Sequence, residues 1–150
     1  MVRTKNRVAL CIGLLVFNIV FIWGNSLLPA EISSKISGFV RDLLQSVVGG
    51  SGEETLIQGD GWLRKLAHFS EFTCLGALWC WLVGMYSGRN LWKPLVLGLG
   101  VACVDECIQI FVPGRGPRVT DVGIDFLGVC LGAYILYRVS AWLQERRKQK

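Results

Sequence analysis

The chain has 150 residues, of which 52% are hydrophobic, and its mean hydropathy is +0.46. This composition excludes an ordinary soluble domain and indicates a single small membrane domain over residues 1–150. The formal net charge of +5 does not indicate nucleic-acid binding, because the basic residues form no stripe with interleaved aromatic residues. Orientation in a membrane explains the charge better, so we expect membrane lipids as partners and no nucleic acid.

Four apolar stretches approach the length of about 20 helical residues that crosses a hydrocarbon core. They cover residues 8–28, 66–86, 95–112 and 122–143. The first is long for a signal peptide and lacks a small-x-small cleavage site, so we expect it to be retained. The predicted fold class is therefore all-α, an integral membrane protein with four transmembrane helices.

Basic residues indicate the orientation of these helices. They cluster before the first stretch, between the second and third, and in the carboxyl-terminal tail, at Arg3, Lys5, Arg7, Arg89, Lys93, Arg146, Arg147, Lys148 and Lys150. Cytoplasmic loops carry such an excess, so the pattern predicts a multi-pass protein with both termini in the cytoplasm. The opposite loops also contain basic residues, which reduces the asymmetry.

The predicted outer loop, residues 29–65, contains apolar residues at helical spacing. This pattern predicts an amphipathic helix from Glu31 to Val48 on the outer side of the membrane. The Gly-rich segment 49–54 then predicts a flexible link. Such a helix can serve as a lid, as a packing element or as a lipid sensor, and the sequence leaves these roles open.

The second predicted transmembrane helix begins with ionisable residues. Arg64 and His68 are four residues apart, and His68 and Glu71 are three apart, so these side chains share a helix face with Lys65 beside them. In the predicted orientation they occupy the outer two turns.

The third predicted helix returns outward and places Asp105, Glu106 and Gln109 in its last two turns. A carboxylate at the centre of a bilayer costs about 2.5–3.5 kcal/mol, so such groups are usually paired, hydrated or functional. Pro113 and Gly114 predict the turn that follows.

The fourth predicted helix also begins with charge. Arg115 and Arg118 precede it, and Asp121 and Asp125 open it with a spacing of four residues. Three helix ends from distant parts of the sequence are therefore expected to converge near the outer interface.

Small residues indicate where helices pack closely. Gly128 and Gly132 lie four residues apart in the fourth predicted helix, and Gly76, Cys80 and Gly84 repeat this spacing in the second. Such faces let helix backbones approach each other, so we expect close internal packing here. The oligomeric state is not predicted.

Three sequence blocks in this order resemble the VanZ-like family. They read Arg64-Lys65-Leu-Ala-His68-Phe-Ser-Glu71-Phe72, Asp105-Glu106-x-x-Gln109-x-Phe-x-Pro113-Gly114-Arg115, and Asp121-x-x-x-Asp125-x-x-Gly128-x-x-x-Gly132. The segment from Asn25 to Pro29 resembles the short serine-containing motif that follows the first helix in this family. Asp125 stands where the family commonly has asparagine.

The resemblance implies a bacterial cytoplasmic-membrane protein that acts on the cell envelope. The family's named member is associated with resistance to teicoplanin, a lipid-bearing glycopeptide antibiotic. We therefore expect the protein to affect cell-wall or lipid-linked molecules, and teicoplanin susceptibility with them.

The first interpretation of the cluster is structural. Its basic and acidic side chains nearly neutralise one another across the helix ends. The basic members are Arg64, Lys65, Arg115 and Arg118, and the acidic members are Glu71, Asp105, Glu106, Asp121 and Asp125. A partner-binding or packing protein needs no more than this.

The second interpretation is a site for an anionic extracytoplasmic molecule, such as a lipid headgroup, a lipid-linked cell-wall precursor or a lipoglycopeptide. Arg64, Lys65, Arg115 and Arg118 are the candidate anion-binding residues, because guanidinium groups suit phosphate and carboxylate. The candidate catalytic residues are His68, Glu71, Asp105, Glu106 and Gln109, with Asp121 and Asp125 in support. Whether the protein is an enzyme stays open.

A variant of the second interpretation adds a divalent cation, although we expect no cofactor. The residues with suitable ligand types for Mg²⁺, Mn²⁺ or Zn²⁺ are His68, Glu71, Glu106, Asp121 and Asp125. A third interpretation, a proton or ion path, is disfavoured because the cytoplasmic halves of the helices lack matching ionisable residues.

Overall fold

The computed structural model describes residues 2–48, 60–88, 90–116 and 118–149. Within these residues the chain forms five α-helices and no β-strand. In chain order they are α1 (Val2–Ser26), α2 (Ala30–Val48), α3 (Asp60–Ser87), α4 (Trp92–Gln109) and α5 (Val119–Lys148). The prediction of an all-α fold is confirmed.

Three of the helices contain segments long and apolar enough to cross a membrane. These segments are Thr4–Ser26, Trp62–Ser87 and Val119–Lys148. The fourth predicted span corresponds to α4, which has 18 residues and includes Lys93, Asp105 and Glu106. Because these charged residues lie near both ends of α4, the apolar stretch between them is shorter than a membrane span requires. The fourth transmembrane helix therefore stays a prediction.

The amphipathic helix predicted from Glu31 to Val48 is confirmed as α2, which begins one residue earlier. Pro29 stands just before its first turn, where a missing N–H removes no helical hydrogen bond. The helix packs against α3 and leaves Ile32, Phe39 and Leu43 about half exposed or more. The predicted flexible link, residues 49–54, lies outside the described residues.

The helices α3 and α5 form the most extensive interface, and glycines make it close. A Cβ atom on Gly132 would overlap the backbone of Thr73, and a Cβ atom on Gly76 would overlap the backbone of Val129. The close packing predicted for Gly128, Gly132 and Gly76 is therefore confirmed. Gly84 has open space around it, so that part of the prediction is wrong.

A small apolar core lies among α1, α3, α4 and α5. Its fully buried members include Ile22, Phe72, Leu75 and Val129. Large apolar side chains such as Phe17 on α1 stay exposed, which fits a surface that contacts lipid rather than water. The core thus holds four helices together, and their outer faces remain apolar.

A tight turn ends α4 and directs the chain back to α5. Gly114 has a φ of 76°, a backbone conformation that favours glycine. A Cβ atom at this position would lie 3.1 Å from the Ala30 Cβ at the start of α2. The α4–α5 turn therefore touches the α1–α2 junction, and both border the polar cluster.

Candidate functional site

The polar cluster is centred on His68, in the third turn of α3. Its Nδ1 atom lies 3.8 Å from an oxygen of Asp105 on α4 and 3.8 Å from an oxygen of Asp125 on α5. Both carboxylates are buried, with exposed fractions of 0% and 2%. The structure thus brings together one residue from each of the three helix ends.

The end of α1 adds a fourth element to the cluster. Ser26 is fully buried, and its Oγ donates a hydrogen bond of 2.8 Å to Asp105 Oδ2. The Gln109 amide donates to the same carboxylate oxygen at 3.1 Å. Asp105 Oδ1 has no hydrogen-bond partner among the described residues. Two donors therefore fix this carboxylate while one oxygen keeps its accepting capacity.

Asn25 connects α1 to the rest of the site in two ways. Its side-chain amide donates a hydrogen bond of 2.9 Å to Glu71 Oε1, and its carbonyl oxygen accepts one of 3.2 Å from Arg115 Nη2. Glu71 Oε2 has no partner in the described part of the chain. The α1 terminus therefore joins an acidic side chain of α3 to a basic side chain of the α4–α5 turn.

Glu106 follows Asp105 but points elsewhere. Its Oε1 accepts a hydrogen bond from the backbone N–H of Arg118, at the entrance to α5. Its Oε2 is buried and has no partner among the described residues. The predicted anion-binding residue Arg118 is itself exposed, and what the structure shows of it at the cluster is its backbone.

Lys65 and Asp121 form an ion pair of 3.2 Å at the edge of the cluster. Their side chains are 35% and 21% exposed, so solvent screens much of this interaction. The pair bridges α3 and α5 beside the buried carboxylates.

Arg115 is a half-buried cation near Asp105 and Glu106. Burial lowers the pKa of its guanidinium and the nearby Arg64 lowers it further, whereas Asp105 and Glu106 raise it. Its Nε and Nη1 are buried, and neither has a hydrogen-bond partner within the described residues. Arg115 therefore presents unused donors in a partly buried setting.

Two cavities lined by described residues border the cluster. The larger, about 400 Å³, lies between the end of α1, α2 and α3, and reaches Arg64, His68, Glu71 and Arg115. The smaller, about 10 Å³, lies on the side of α5 and is lined by Arg64, Lys65, His68, Gln109, Asp121 and Asp125. Arg64 and His68 line both cavities and so separate them.

Two members of the site, Asn25 and Ser26, were not among the predicted site residues. The signal for them was a polar break at the end of the first apolar stretch, and the family-like motif there. The structure also changes the set of residues that could bind a cation. Of the residues suggested for a cation, His68 and Asp125 lie within reach of each other and of Asp105.

Comparison with known proteins gives one family. The family model VanZ/LLP1 matches residues 8–142, most of the chain. Neither the curated proteins nor the solved structures compared with the chain contain a match. With its three apolar helices and this match, the protein is a membrane protein that belongs to the VanZ/LLP1 family.

Proposed function

We propose that the larger cavity binds an anionic, lipid-linked molecule of the bacterial cell envelope. In this proposal the protein crosses the cytoplasmic membrane four times, both termini are cytoplasmic, and the polar cluster and α2 lie on the outer side. Binding protects or presents the envelope molecule, and lower teicoplanin susceptibility is one consequence we expect.

The observation that carries the proposal is the two-sided lining of the larger cavity. Leu28, Ile36 and Val40 are among its apolar lining residues, and its charged lining residues are Arg64, Arg115 and Glu71. An acyl or polyprenyl chain needs the first kind of surface and a phosphate or carboxylate needs the second. Its volume of about 400 Å³ is that of an ordinary ligand site.

The surroundings of the cavity favour a lipid over a soluble anion. The helix α2, which supplies one wall, exposes Ile32, Phe39 and Leu43 outside the cavity. A helix with such a face lies in the boundary between headgroups and acyl chains. A molecule already in the membrane therefore reaches this cavity without passing through water.

Cavity filling tests the binding site. Phenylalanine at Ser37, which lines the cavity, should abolish binding, whereas phenylalanine at Ser34, an exposed serine of the same helix outside the lining, should preserve it. Binding is measured by native mass spectrometry of the purified protein with a long polyprenyl phosphate. Equal binding by Ser37→Phe and Ser34→Phe would overturn the cavity as the site.

The polar end has a separate test. A neutral polyprenol of the same chain length should bind less well than the phosphate, because it offers no charge to Arg115. Arg115→Gln should reduce this preference while binding of the neutral lipid changes little. An unchanged preference would remove Arg115 from the anion site.

Topology is tested independently. Fusions after Lys148 should give fluorescent green fluorescent protein and inactive alkaline phosphatase if the carboxyl terminus is cytoplasmic. Active phosphatase would place the cluster on the cytoplasmic side and exclude an outward site.

The second candidate is a non-catalytic structural network. The Lys65–Asp121 ion pair and the hydrogen bonds from Ser26 and Gln109 to Asp105 favour it, because they satisfy charged groups without a ligand. This candidate predicts that substitutions in the cluster lower folded yield and function together. The acid/base roles of His68 and Glu106 stay predictions.

A further inference from the structure

We infer that His68, Asp105 and Asp125 bind a divalent transition-metal ion. One ligand atom from each residue lies within 4.8 Å of the other two. The three residues come from α3, α4 and α5 and are separated in sequence by 37 and 20 positions, so the fold and no local motif assembles them.

The distances fit a bound ion better than direct hydrogen bonds. A separation of 3.8 Å between His68 Nδ1 and each carboxylate oxygen is too long for an N–H···O bond. A tetrahedral ion with ligand bonds of about 2.0–2.2 Å places its ligand atoms about 3.3–3.6 Å apart. Each imidazole to carboxylate distance therefore has to shorten by only a few tenths of an ångström to reach this value.

Two buried acidic side chains meet one imidazole at this point. In the described part of the chain, the ion pairs of Asp105 and Asp125 are both with His68. At 3.8 Å, His68 Nδ1 forms a hydrogen bond with neither carboxylate, and burial of a carboxylate is costly without a charged partner. An ion coordinated by all three side chains compensates both carboxylates.

Hydrogen bonds from neighbouring side chains hold Asp105 in place, as they commonly do for the side chains that bind a metal ion. Ser26 and Gln109 donate to its Oδ2, whereas the fully buried Oδ1 has no hydrogen-bond partner among the described residues. Hydrogen bonds of this kind fix the orientation of ligating carboxylates. The oxygen that lies 3.8 Å from His68 is the bonded Oδ2, and Oδ1 of the same buried carboxylate has no partner in the described part of the chain, so Asp105 keeps one unused acceptor for an ion.

The donor set identifies the class of ion. One imidazole nitrogen with two carboxylate oxygens suits Mn²⁺ or Zn²⁺ better than Mg²⁺ or Ca²⁺, which prefer oxygen alone. Three protein ligands leave a coordination position open. The adjacent cavity of about 10 Å³ has room for about one water molecule or one oxygen of a headgroup at that position.

The bound ion would add positive charge to the cluster, near Arg64 and Arg115. In that role, which rests on the proposed function, a headgroup oxygen completes the coordination and the ion helps to hold the anionic lipid. Coordination by the three side chains itself requires no lipid, so the two statements are tested separately.

Metal binding is measured on the full chain, purified in detergent with a non-histidine affinity tag and stripped with a chelator. Equilibrium dialysis against Mn²⁺ or Zn²⁺, followed by elemental analysis, should give about one bound ion per chain. Asp125→Asn and His68→Gln should each weaken binding at least about 10-fold. Glu145→Gln, which removes an exposed carboxylate at the other end of α5, should weaken it less than about 3-fold.

Several outcomes would overturn the metal site. They are the absence of a stoichiometric ion, and equal affinity in wild type, Asp125→Asn and His68→Gln. If either variant fails to fold, the wild type still decides, because a bound ion must raise the melting temperature of the stripped protein. No rise with Mn²⁺ or Zn²⁺ would refute the site.

A lipid experiment separates this inference from the proposed function. Binding of the polyprenyl phosphate is measured with stripped and with metal-loaded protein. Ion binding without lipid binding would overturn the proposed function and leave the metal site standing. Lipid binding that is equally strong in both forms would leave the proposed function standing and overturn the ion's role in it.

Discussion

Two interfaces of α3 differ in how closely they pack. Toward α5, glycines bring the helix backbones together so that a single added Cβ atom at Gly132 would overlap the α3 backbone at Thr73. Toward α2, the same helix borders a cavity of about 400 Å³, and Gly38 of α2 has open space around it. One side of α3 is thus a closely packed, fixed frame, and the other side is loosely packed.

The difference separates two tasks within a small protein. The fixed frame holds His68 and Asp125 in register across α3 and α5, as a preorganised polar site requires. The loosely packed α2 leaves room for a molecule between itself and α3. The variants below are chosen to test whether the two sides respond differently.

The largest effect is expected from Gly132→Ala. The added methyl group would meet the backbone of Thr73, which cannot rotate away as a side chain can, so we expect the free energy of unfolding to fall by about 3 kcal/mol, the upper end of the usual range for overpacking. Thermal unfolding in detergent, followed by tryptophan fluorescence, measures the change. A melting temperature equal to that of wild type would contradict the fixed frame.

A smaller loss is expected from Ser26→Ala. This change removes the buried hydroxyl that donates to Asp105, and losing such a bond costs about 1–3 kcal/mol when its acceptor stays buried. Ser34→Ala is the matched control, because Ser34 Oγ bonds within an exposed part of α2. Similar unfolding of the two variants would show that the α1 terminus does not support the cluster.

Glu106→Gln separates function from structure at the cluster. Glutamine keeps the oxygen that accepts from the Arg118 N–H, so we expect stability to change by less than about 1 kcal/mol. If Glu106 has the predicted acid/base role, protection against teicoplanin relative to vancomycin should be lost at equal membrane levels of protein in a sensitive Gram-positive host. Loss of folded protein together with protection would favour the structural network instead.

The smallest effect is expected from Gly38→Ala. Alanine in a helix is more stable than glycine by about 0.5–1 kcal/mol, and nothing lies near a Cβ atom at this position. The variant should therefore unfold at a slightly higher temperature and bind lipid as wild type does. A destabilised Gly38→Ala would indicate that α2 packs more closely than the structure shows.

Much of the fold follows from patterns that act along one helix. The hydropathy of α1, α3 and α5 and the apolar spacing of α2 need no knowledge of partners. His68, Asp105 and Asp125 were predicted to lie at a similar depth in the membrane, and this was enough to place them at the same end of the helices. These features were predictable because length and periodicity directly reflect burial in lipid or protein.

The arrangement within the cluster could not be predicted, because it depends on how the helices rotate against each other. Asp105 and Glu106 are neighbours in sequence but differ by about 100° around α4, and spacing alone cannot say which one meets His68. The contact from Ser26 to Asp105 spans 79 residues and depends on where α1 ends relative to α4. The cavity beside α2 likewise depends on packing between separate elements.

The shortness of α4 has a consequence for the bilayer itself. Its 18 residues span about 27 Å, slightly less than a typical hydrocarbon core of about 30 Å. In the proposed four-span arrangement, a helix this short thins the surrounding lipid or draws its polar end below the headgroups. Membrane thickness then affects how much water reaches the site. Asp105 and Glu106 should be hydrated more readily in a thin bilayer than in a thick one.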